Sequence, residues 1–271
     1  MGAVQPFFLP RPNGQRFCLF HPAAGNGARG AVLYIHPFAE EMNKARRMVA
    51  LQSRALAAAG YDVLQLDLLG CGDSTGDFAD ASWQAWQEDI SEAIGALRQR
   101  SAAPLILWGL RAGCLLAAEL AAELTEPADF VFWQPVVSGK QHWQQFMRLK
   151  MAGEMASGQA KVIGEQLRQQ LAAGQPVEIA GYGVAPALVA GLEQAELKPP
   201  AGGGRVIWLE TSLRDEATLA PVSQKRIEQW QAAGWRVDAR ITRGPAFWQT
   251  AEIEDAPELI AATLAGLAVA A

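Results

Sequence analysis

Short apolar runs alternate with longer amphipathic segments along most of this 271-residue chain. That alternation predicts a mostly parallel β-sheet flanked by crossover helices. The predicted strands are 7–9, 16–20, 31–35, 61–66, 104–108, 129–134, 205–210 and 235–241. The predicted helices are 43–59, 82–100, 114–120, 221–233 and 257–271, and the glycine-rich stretch 23–30 is expected to form a turn.

Several predicted helices begin or end at recognisable capping residues. Asn43 is expected to cap the helix that stops at Gly60, because asparagine is a favoured N-cap and glycine often follows the last turn. Ser82 is expected to cap the next helix. Asp255 is expected to cap the last one, which has proline and glutamate in its first turn.

The alternation breaks between residues 137 and 204. This segment is rich in glutamine and alanine, is punctuated by glycine and proline, and has little strand character. We expect it to form a helical cap or lid inserted into an α/β core made of residues 1–136 and 205–271. The run Pro199–Gly204 is the clearest linker and marks the return to the core.

Composition narrows the class of protein. Half of the residues are apolar, and the net charge is −5 with no basic tract, which argues against a nucleic-acid or anionic-membrane partner. Three cysteines, an odd and sparse count, indicate reduced thiols. The N-terminus lacks a signal-peptide pattern, and the apolar C-terminal helix is too short to span a bilayer. We therefore expect a cytoplasmic protein.

One turn has the frame of a nucleophile elbow without its nucleophile. Residues 109–113 read Gly-Leu-Arg-Ala-Gly, which matches G-x-S-x-G except that Arg111 stands in the place of serine. A strand-like run leads into the turn and a helix-like run follows, which is the context that the motif requires. The frame predicts an α/β-hydrolase fold, and the arginine excludes the usual serine chemistry at this position.

The histidine base of a serine hydrolase is missing as well. In this fold an acid and then a histidine follow the nucleophile along the chain, but His21, His36 and His142 all precede the last two predicted strands. Asp215, or the adjacent Glu216, is a weak candidate for the acid, yet it would have no base to orient.

Other nucleophiles lie near the predicted strand ends but lack support. Ser74, Cys71 and Cys114 have no base at a suitable spacing. We interpret them as a loop hydroxyl and two buried thiols, and we assign no catalytic residue.

Arg111 requires a partner of opposite charge or contact with water. A helix N-terminus already favours anions, and the guanidinium stays protonated. Because a buried unpaired charge is costly, Arg111 must pair with a protein carboxylate, hold an anionic ligand or face solvent. Glu40 and Glu41 follow the strand at 31–35 and are the expected internal partners.

The other candidate side chains near the predicted strand ends each have two possible roles, one structural and one in ligand binding. His36 is either hydrogen-bonded at its strand end or a ligand contact, and Arg46 and Arg47 form either a salt-bridged face or part of an anion site. Tryptophans near strand ends either line a pocket for sugar or acyl groups or pack in the core. The candidate ligand-binding residues are Arg111, His36, Glu40, Glu41, Trp133 and Trp248. No spacing suggests a metal site, and we expect no cofactor.

Several segments together resemble the exosortase A system-associated hydrolase 2 family, a branch of the α/β-hydrolase superfamily. They are residues 36–48, the loop 67–74, the arginine elbow, Ala180-Gly181-Tyr182 and residues 244–248, and the first of these is the most specific. The resemblance implies a cytoplasmic protein of bacteria with exopolysaccharide and protein-sorting clusters. It does not imply turnover, because the serine and histidine of the superfamily match no residue of this chain.

Three functions remain open from the sequence. The first is a non-catalytic protein that binds an anionic small molecule or a partner protein under the cap. The second is an active hydrolase of esterase, thioesterase or deacylase type that uses non-standard residues, such as His36 with Glu41 or Ser74. The third is a scaffold in a polysaccharide or sorting complex. A closed Arg111–carboxylate pair would favour a scaffold or pseudoenzyme, and an open cavity would favour ligand binding.

Overall fold

The computed structural model describes residues 2–154 and 160–268, and within them an eight-stranded sheet forms the centre of the molecule. The strands of the described residues are β1 (Gln5–Arg11), β2 (Gly14–His21), β3 (Ala31–Ile35), β4 (Asp62–Leu66), β5 (Leu105–Leu110), β6 (Ala128–Trp133), β7 (Val177–Ile179), β8 (Tyr182–Val184), β9 (Gly204–Ser212) and β10 (Trp235–Arg243). All of them except β7 and β8 belong to the central sheet, which has the order β1-β2-β4-β3-β5-β6-β9-β10. It is antiparallel from β1 to β4 and parallel from β4 to β10.

Helices cover both faces of this sheet. The helices of the described residues are α1 (Glu40–Ala58), α2 (Trp83–Arg98), α3 (Gly113–Ala121), α4 (Gly139–Glu154), α5 (Ala160–Ala172), α6 (Pro186–Gln194), α7 (Pro221–Ala232) and α8 (Pro257–Ala268). α1 and α8 pack on one face, and α2, α3 and α7 pack on the other. Because both faces are covered, β3 and β5 are buried along their whole length. This architecture confirms the predicted fold class.

Two of the predicted helix caps are wrong. α1 begins at Glu40 rather than at Asn43, after Ala39, which has φ 51°. Both acidic residues of its first turn suit the positive end of the helix dipole. At the last helix, the Asp255 carboxylate accepts hydrogen bonds from Arg47 in α1. The Ser82 cap is confirmed, since its hydroxyl accepts from the backbone N–H of Ala85 at 3.0 Å.

The segment at 137–204 is less helical than the sequence predicts. It contains α4, α5 and α6, but also the antiparallel hairpin β7–β8. Ala180 and Gly181 make the turn of that hairpin with φ of 52° and 82°, the backbone that two-residue hairpin loops favour. Of the predicted cap, residues 155–159 lie outside the described residues, as do residues 269–271 of the last predicted helix.

Candidate functional site

The backbone of residues 109–113 forms the strand-to-helix turn that the sequence predicts. A side chain at Gly113 would overlap the carbonyl of Ile35, and one at Gly109 would press on the backbone of Cys114. Arg111 sits at the apex with φ 54°, in the left-handed region that non-glycine residues rarely adopt. The architecture of the elbow is therefore intact, and it holds an arginine at the nucleophile position.

The side chain of Arg111 is paired with Glu41, one of its two expected partners. Its Nε–H donates to Glu41 Oε1 at 3.1 Å, and the two side chains are 16% and 10% exposed. Burial raises the pKa of Glu41, and the guanidinium of Arg111 opposes that shift. The Arg111 guanidinium also lies 5.5 Å from the ring centre of Trp248, within cation–π range.

His142 completes this cluster, although sequence reasoning did not select it. It lies on α4, and its Nε2 is 3.9 Å from Glu41 Oε2. Burial first, and the charge of Arg111 second, lower the pKa of His142 to about 3. Within the described part of the chain, neither ring nitrogen of His142 nor Glu41 Oε2 has a hydrogen-bond partner. The imidazole is therefore neutral at ordinary pH.

A cavity of about 270 Å³ opens beside this cluster. That volume is slightly below the range of about 300–1,000 Å³ of sites for drug-sized ligands. One wall comes from α1 and the preceding loop, one from α4 and one from the elbow. Its lining residues are Phe38, Glu40, Glu41, Lys44, Arg111, His142, Gln145, Phe146, Leu149 and Gln249. The cavity thus combines charges of both signs with an aromatic wall.

The structure brings together only some of the predicted ligand-binding residues. Glu40 and Glu41 line the cavity with Arg111, and Trp248 packs beside the guanidinium. Trp133 is instead fully buried in the core, where its Nε1–H donates to Thr263 Oγ1 at 2.9 Å. His36 is also buried outside the lining of the cavity.

Both ring nitrogens of His36 are engaged by the backbone. Leu68 N–H donates to Nε2 at 3.3 Å, so the proton lies on Nδ1 and is donated to Pro37 O at 2.7 Å. Burial lowers the pKa of His36. This arrangement leaves no ring nitrogen to act as a base toward Ser74 or Glu41, or to bond a ligand.

The stand-in nucleophiles are also committed to structure. The Ser74 hydroxyl donates to Asp67 O and accepts from Phe17 N–H, which ties its loop to β2. Burial raises the pKa of the Cys71 and Cys114 thiols. Both therefore stay protonated at neutral pH and are poor nucleophiles.

The weak acid candidate and the basic residues of α1 lie on the surface. Asp215 is 85% exposed and pairs with Arg243 rather than with a histidine. Arg46 binds Asp67 and Arg47 binds Asp255, as expected for a salt-bridged face. The exposed position of Asp215 does not support its role as the acid of a catalytic triad, which stays a prediction.

Larger clefts lie away from the elbow. One of about 640 Å³ lies between α4, α5 and α6, one of about 780 Å³ lies near α2, α3 and residues 194–201, and one of about 430 Å³ lies beside β10. None of these three includes Arg111 or Glu41. In the described residues no group of histidine, cysteine or acidic side chains is arranged to hold a metal ion. None of the described helices is long and apolar enough to cross a bilayer.

Comparison with known proteins identifies a family and a fold. A model of the serine aminopeptidase S33 family of hydrolases matches residues 26–187, which include β3, α1 and the elbow. None of the curated proteins matches the chain.

Solved structures similar to the chain are of the α/β-hydrolase type. Est1E from Butyrivibrio proteoclasticus with ferulic acid bound has a TM-score of 0.63 at 12% identity over 96% of each chain. A soluble variant of monoglyceride lipase from Saccharomyces cerevisiae, in complex with a substrate analogue, scores 0.60 at 13% identity over 98% of this chain and 94% of its own. A thioesterase domain from the curacin biosynthetic pathway scores 0.56 at 15% identity over 99% and 100%. At these identities the likeness establishes the fold alone.

Proposed function

The chain belongs to the serine aminopeptidase S33 family, and we propose that it keeps the α/β-hydrolase fold while binding a small anionic ligand at Arg111, without serine-hydrolase chemistry. The observation that carries this proposal is the position of Arg111, which occupies the apex of an intact elbow and lines a cavity. Strained backbone, here φ 54° at a charged residue, is typical of a functional site. It is not what we expect if the arginine had merely replaced a serine that was no longer needed.

The chemistry of the guanidinium supports an anion as the ligand. Arginine carries five N–H donors in a planar fork, and Glu41 accepts from Nε–H only. Among the described residues no acceptor binds the Nη groups, so most of the fork is available to a carboxylate or phosphate. Lys44 at the rim of the same cavity adds a second positive charge.

Residues 137–204 act in this proposal as the cap of the site. Four residues of α4, among them His142 and Phe146, form one wall of the cavity. The ligand would therefore enter between this segment and α1.

The resemblance to the exosortase A system-associated hydrolase 2 family supports a role in an exopolysaccharide or protein-sorting system. The ligand would then be an acidic sugar, an acyl acid or a phosphorylated intermediate of such a system. Immunoprecipitation of the tagged protein from a bacterium that carries such a cluster, followed by mass spectrometry of bound small molecules, tests this assignment. Recovery of the same anionic compounds by an Arg111→Met variant would contradict it.

A binding experiment tests the anion site. We expect some members of a panel of carboxylates and phosphates to bind the purified protein in ligand-observed NMR, and Arg111→Met to abolish that binding. Arg47→Met is the matched control, because it removes an arginine that pairs with Asp255 on the surface. Equal loss of binding in both variants would indicate a non-specific charge effect and would contradict the proposal.

A second experiment separates binding from hydrolysis, the runner-up function. The occupied nitrogens of His36 and the occupied hydroxyl of Ser74 argue against an unorthodox base and nucleophile. We expect no labelling by a fluorophosphonate probe and no turnover of a broad panel of aryl esters and thioesters. Turnover that survives purification to homogeneity would overturn this part of the proposal.

A further inference from the structure

Glu41 and His142 present unused hydrogen-bonding atoms to one another. One carboxylate oxygen of Glu41 accepts from Arg111, whereas Oε2 has no hydrogen-bond partner among the described residues. Both ring nitrogens of His142 also lack a partner in that part of the chain, and its Nε2 is 3.9 Å from that same Oε2. Both residues are more than nine-tenths buried.

Such a gap is unusual in a folded protein. Buried polar side-chain atoms nearly always have a hydrogen-bond partner, and a separation of 3.9 Å is too long for one. These atoms are shielded from solvent, so neither water nor a ligand reaches them without rearrangement. A shift of Glu41 by about 1 Å toward α4 would close the gap to a normal hydrogen-bond length.

We propose that Glu41 is a resident carboxylate on Arg111 that an anionic ligand displaces, and that His142 is the positioning residue that receives it. In the free protein Glu41 neutralises the guanidinium. In the complex the ligand's carboxylate or phosphate takes the guanidinium edge that includes Nε–H in place of Glu41, and Glu41 Oε2 accepts a hydrogen bond from His142 Nε2–H. This inference rests on the proposed anion site. It adds that Glu41 competes with the ligand for Arg111 and that His142 binds Glu41 once the ligand has displaced it.

The exchange also moves a proton. The charged groups facing His142 are Arg111 from the elbow and Glu41 from α1, with Glu40 and Lys44 farther along the cavity wall, and Phe38 and Phe146 supply the apolar contacts. In the free protein, burial and Arg111 keep the imidazole neutral. A bound anion neutralises Arg111, and the displaced carboxylate lies against the ring, so both changes favour imidazolium. Anion binding then raises the pKa of His142, so a proton is taken up from solvent where the pH lies below that raised value, and affinity rises as the pH falls through it.

The test is a double-mutant cycle with two defined probes, benzoate and inorganic phosphate. Benzoate pairs a carboxylate with a ring that suits Phe38, Phe146 and Leu149 of the cavity wall. Titration calorimetry at pH 8.0 and pH 5.5 compares the native protein with Glu41→Gln, His142→Phe and the double variant. Glu40→Gln is the matched control, since Glu40 lines the same cavity without contacting Arg111 in the described residues.

The exchange predicts a distinctive pattern of affinities. Glu41→Gln should bind the probes at least about tenfold more tightly at pH 8.0, because the internal competitor is gone. His142→Phe should weaken binding about tenfold when Glu41 is present and less than about twofold in the Glu41→Gln background. The pH comparison uses benzoate, which stays ionised at both pH values, and the gain in its affinity at pH 5.5 should be larger when both residues are present than when either is replaced. Glu40→Gln should change affinity by less than about threefold, as expected for a group outside the exchange.

The outcomes separate this inference from the proposed function. Binding that requires Arg111 but has the same affinity with or without Glu41 overturns the exchange alone. An equal effect of His142→Phe in both backgrounds reduces His142 to a structural residue and also overturns it. If no variant binds either probe while circular dichroism reports folded protein throughout, the anion site itself fails, and the exchange fails with it.

Discussion

Two buried arginine–carboxylate pairs in this molecule have opposite surroundings. Arg16 on β2 donates from Nε to Asp89 on α2 at 2.7 Å, and both side chains are 1% exposed. Arg111 donates from Nε to Glu41 at 3.1 Å beside a cavity. The same chemical pair therefore occurs once in packed core and once at the edge of open space.

The two pairs differ in what surrounds the carboxylate. Asp89 Oδ2 also accepts from Leu69 N–H at 2.9 Å, and its Oδ1, which has no hydrogen-bond partner among the described residues, lies 3.3 Å from the second arginine, Arg11. The free oxygen of Glu41 instead lies 3.9 Å from the imidazole of His142, and Arg111 stands on strained backbone. The first carboxylate is thus held between two arginines inside the packed core and serves the fold. The second pair borders a cavity on strained backbone, which is where function is expected to show.

The largest expected effect breaks the core pair. Asp89→Asn leaves the Arg16 guanidinium buried without a counter-charge, and breaking such a pair costs about 3–5 kcal/mol of unfolding free energy. Urea denaturation followed by circular dichroism measures the change. Glu88→Gln, one residue away and more than half exposed, is the control and should be close to neutral. If Asp89→Asn were equally neutral, the distinction between the two pairs would collapse.

A second effect concerns His142, which lies beside the cavity pair, and it depends on pH. In the unfolded chain a histidine has a pKa of 6.5, whereas the folded protein keeps the pKa of His142 at about 3. The unfolded state therefore binds one more proton between these values, and the native protein loses stability as the pH falls through that window. His142→Phe and His142→Gln remove this loss.

The measurement is the difference in unfolding free energy between native protein and each variant. Relative to pH 8.0, we expect this difference to shift by about 2–3 kcal/mol in favour of the variant at pH 4.5. The two variants fill the site differently, so agreement of their pH slopes isolates titration from packing. If the unfolding free energies of native protein and both variants changed in parallel with pH, His142 would have an ordinary pKa in the folded protein. Its imidazole would then be less buried than in the structure.

The order of strands and helices was predictable because it depends on local patterns. Continuous apolar runs identified β3 and β5, and glycines at 109 and 113 identified the elbow. The start of α1 was not predictable, since it depends on the positive φ at Ala39, which alanine does not signal. The hairpin at Ala180–Gly181 was missed for the same reason, because Ala-Gly is a weaker turn signal than Asn-Gly.

In the candidate site, the ion pair of Arg111 with a neighbouring glutamate was predictable from the sequence, but the residues around that pair were not. Charge alone required a partner for Arg111, and two glutamates followed the neighbouring strand. His142 approaches Glu41 because the fold brings the first turn of α4 near the first turn of α1, and no local pattern reports a contact across about one hundred residues. Trp133 was placed at the site because it ends a strand, yet its ring faces α8 and donates to Thr263.

A third, smaller effect concerns backbone strain at the elbow. Arg111→Gly should be more stable than Arg111→Ala by about 1–2 kcal/mol, because only glycine adopts left-handed backbone without cost. Arg54→Gly and Arg54→Ala, at a helical position of α1, provide the control with the opposite sign, since glycine inside a helix is about 1 kcal/mol less stable than alanine. Thermal unfolding of the four variants gives both differences. The same sign at both positions would show that position 111 is not held at positive φ.

The smallest expected effect is an absence of activity in Arg111→Ser. This change restores the G-x-S-x-G sequence at the elbow, and the loop after β10 still offers no histidine. His142 is the one imidazole in the cavity lining of the described residues, and its burial, the larger cause of its low pKa, remains in the variant and keeps it a poor base at neutral pH. We expect no hydrolysis of p-nitrophenyl acetate above the buffer rate between pH 6 and 9. Hydrolysis that disappears in Arg111→Ser/His142→Phe but persists in Arg111→Ser/His36→Phe would contradict this expectation. It would mean that Arg111 itself, by suppressing the basicity of His142, is what keeps this elbow from hydrolytic chemistry.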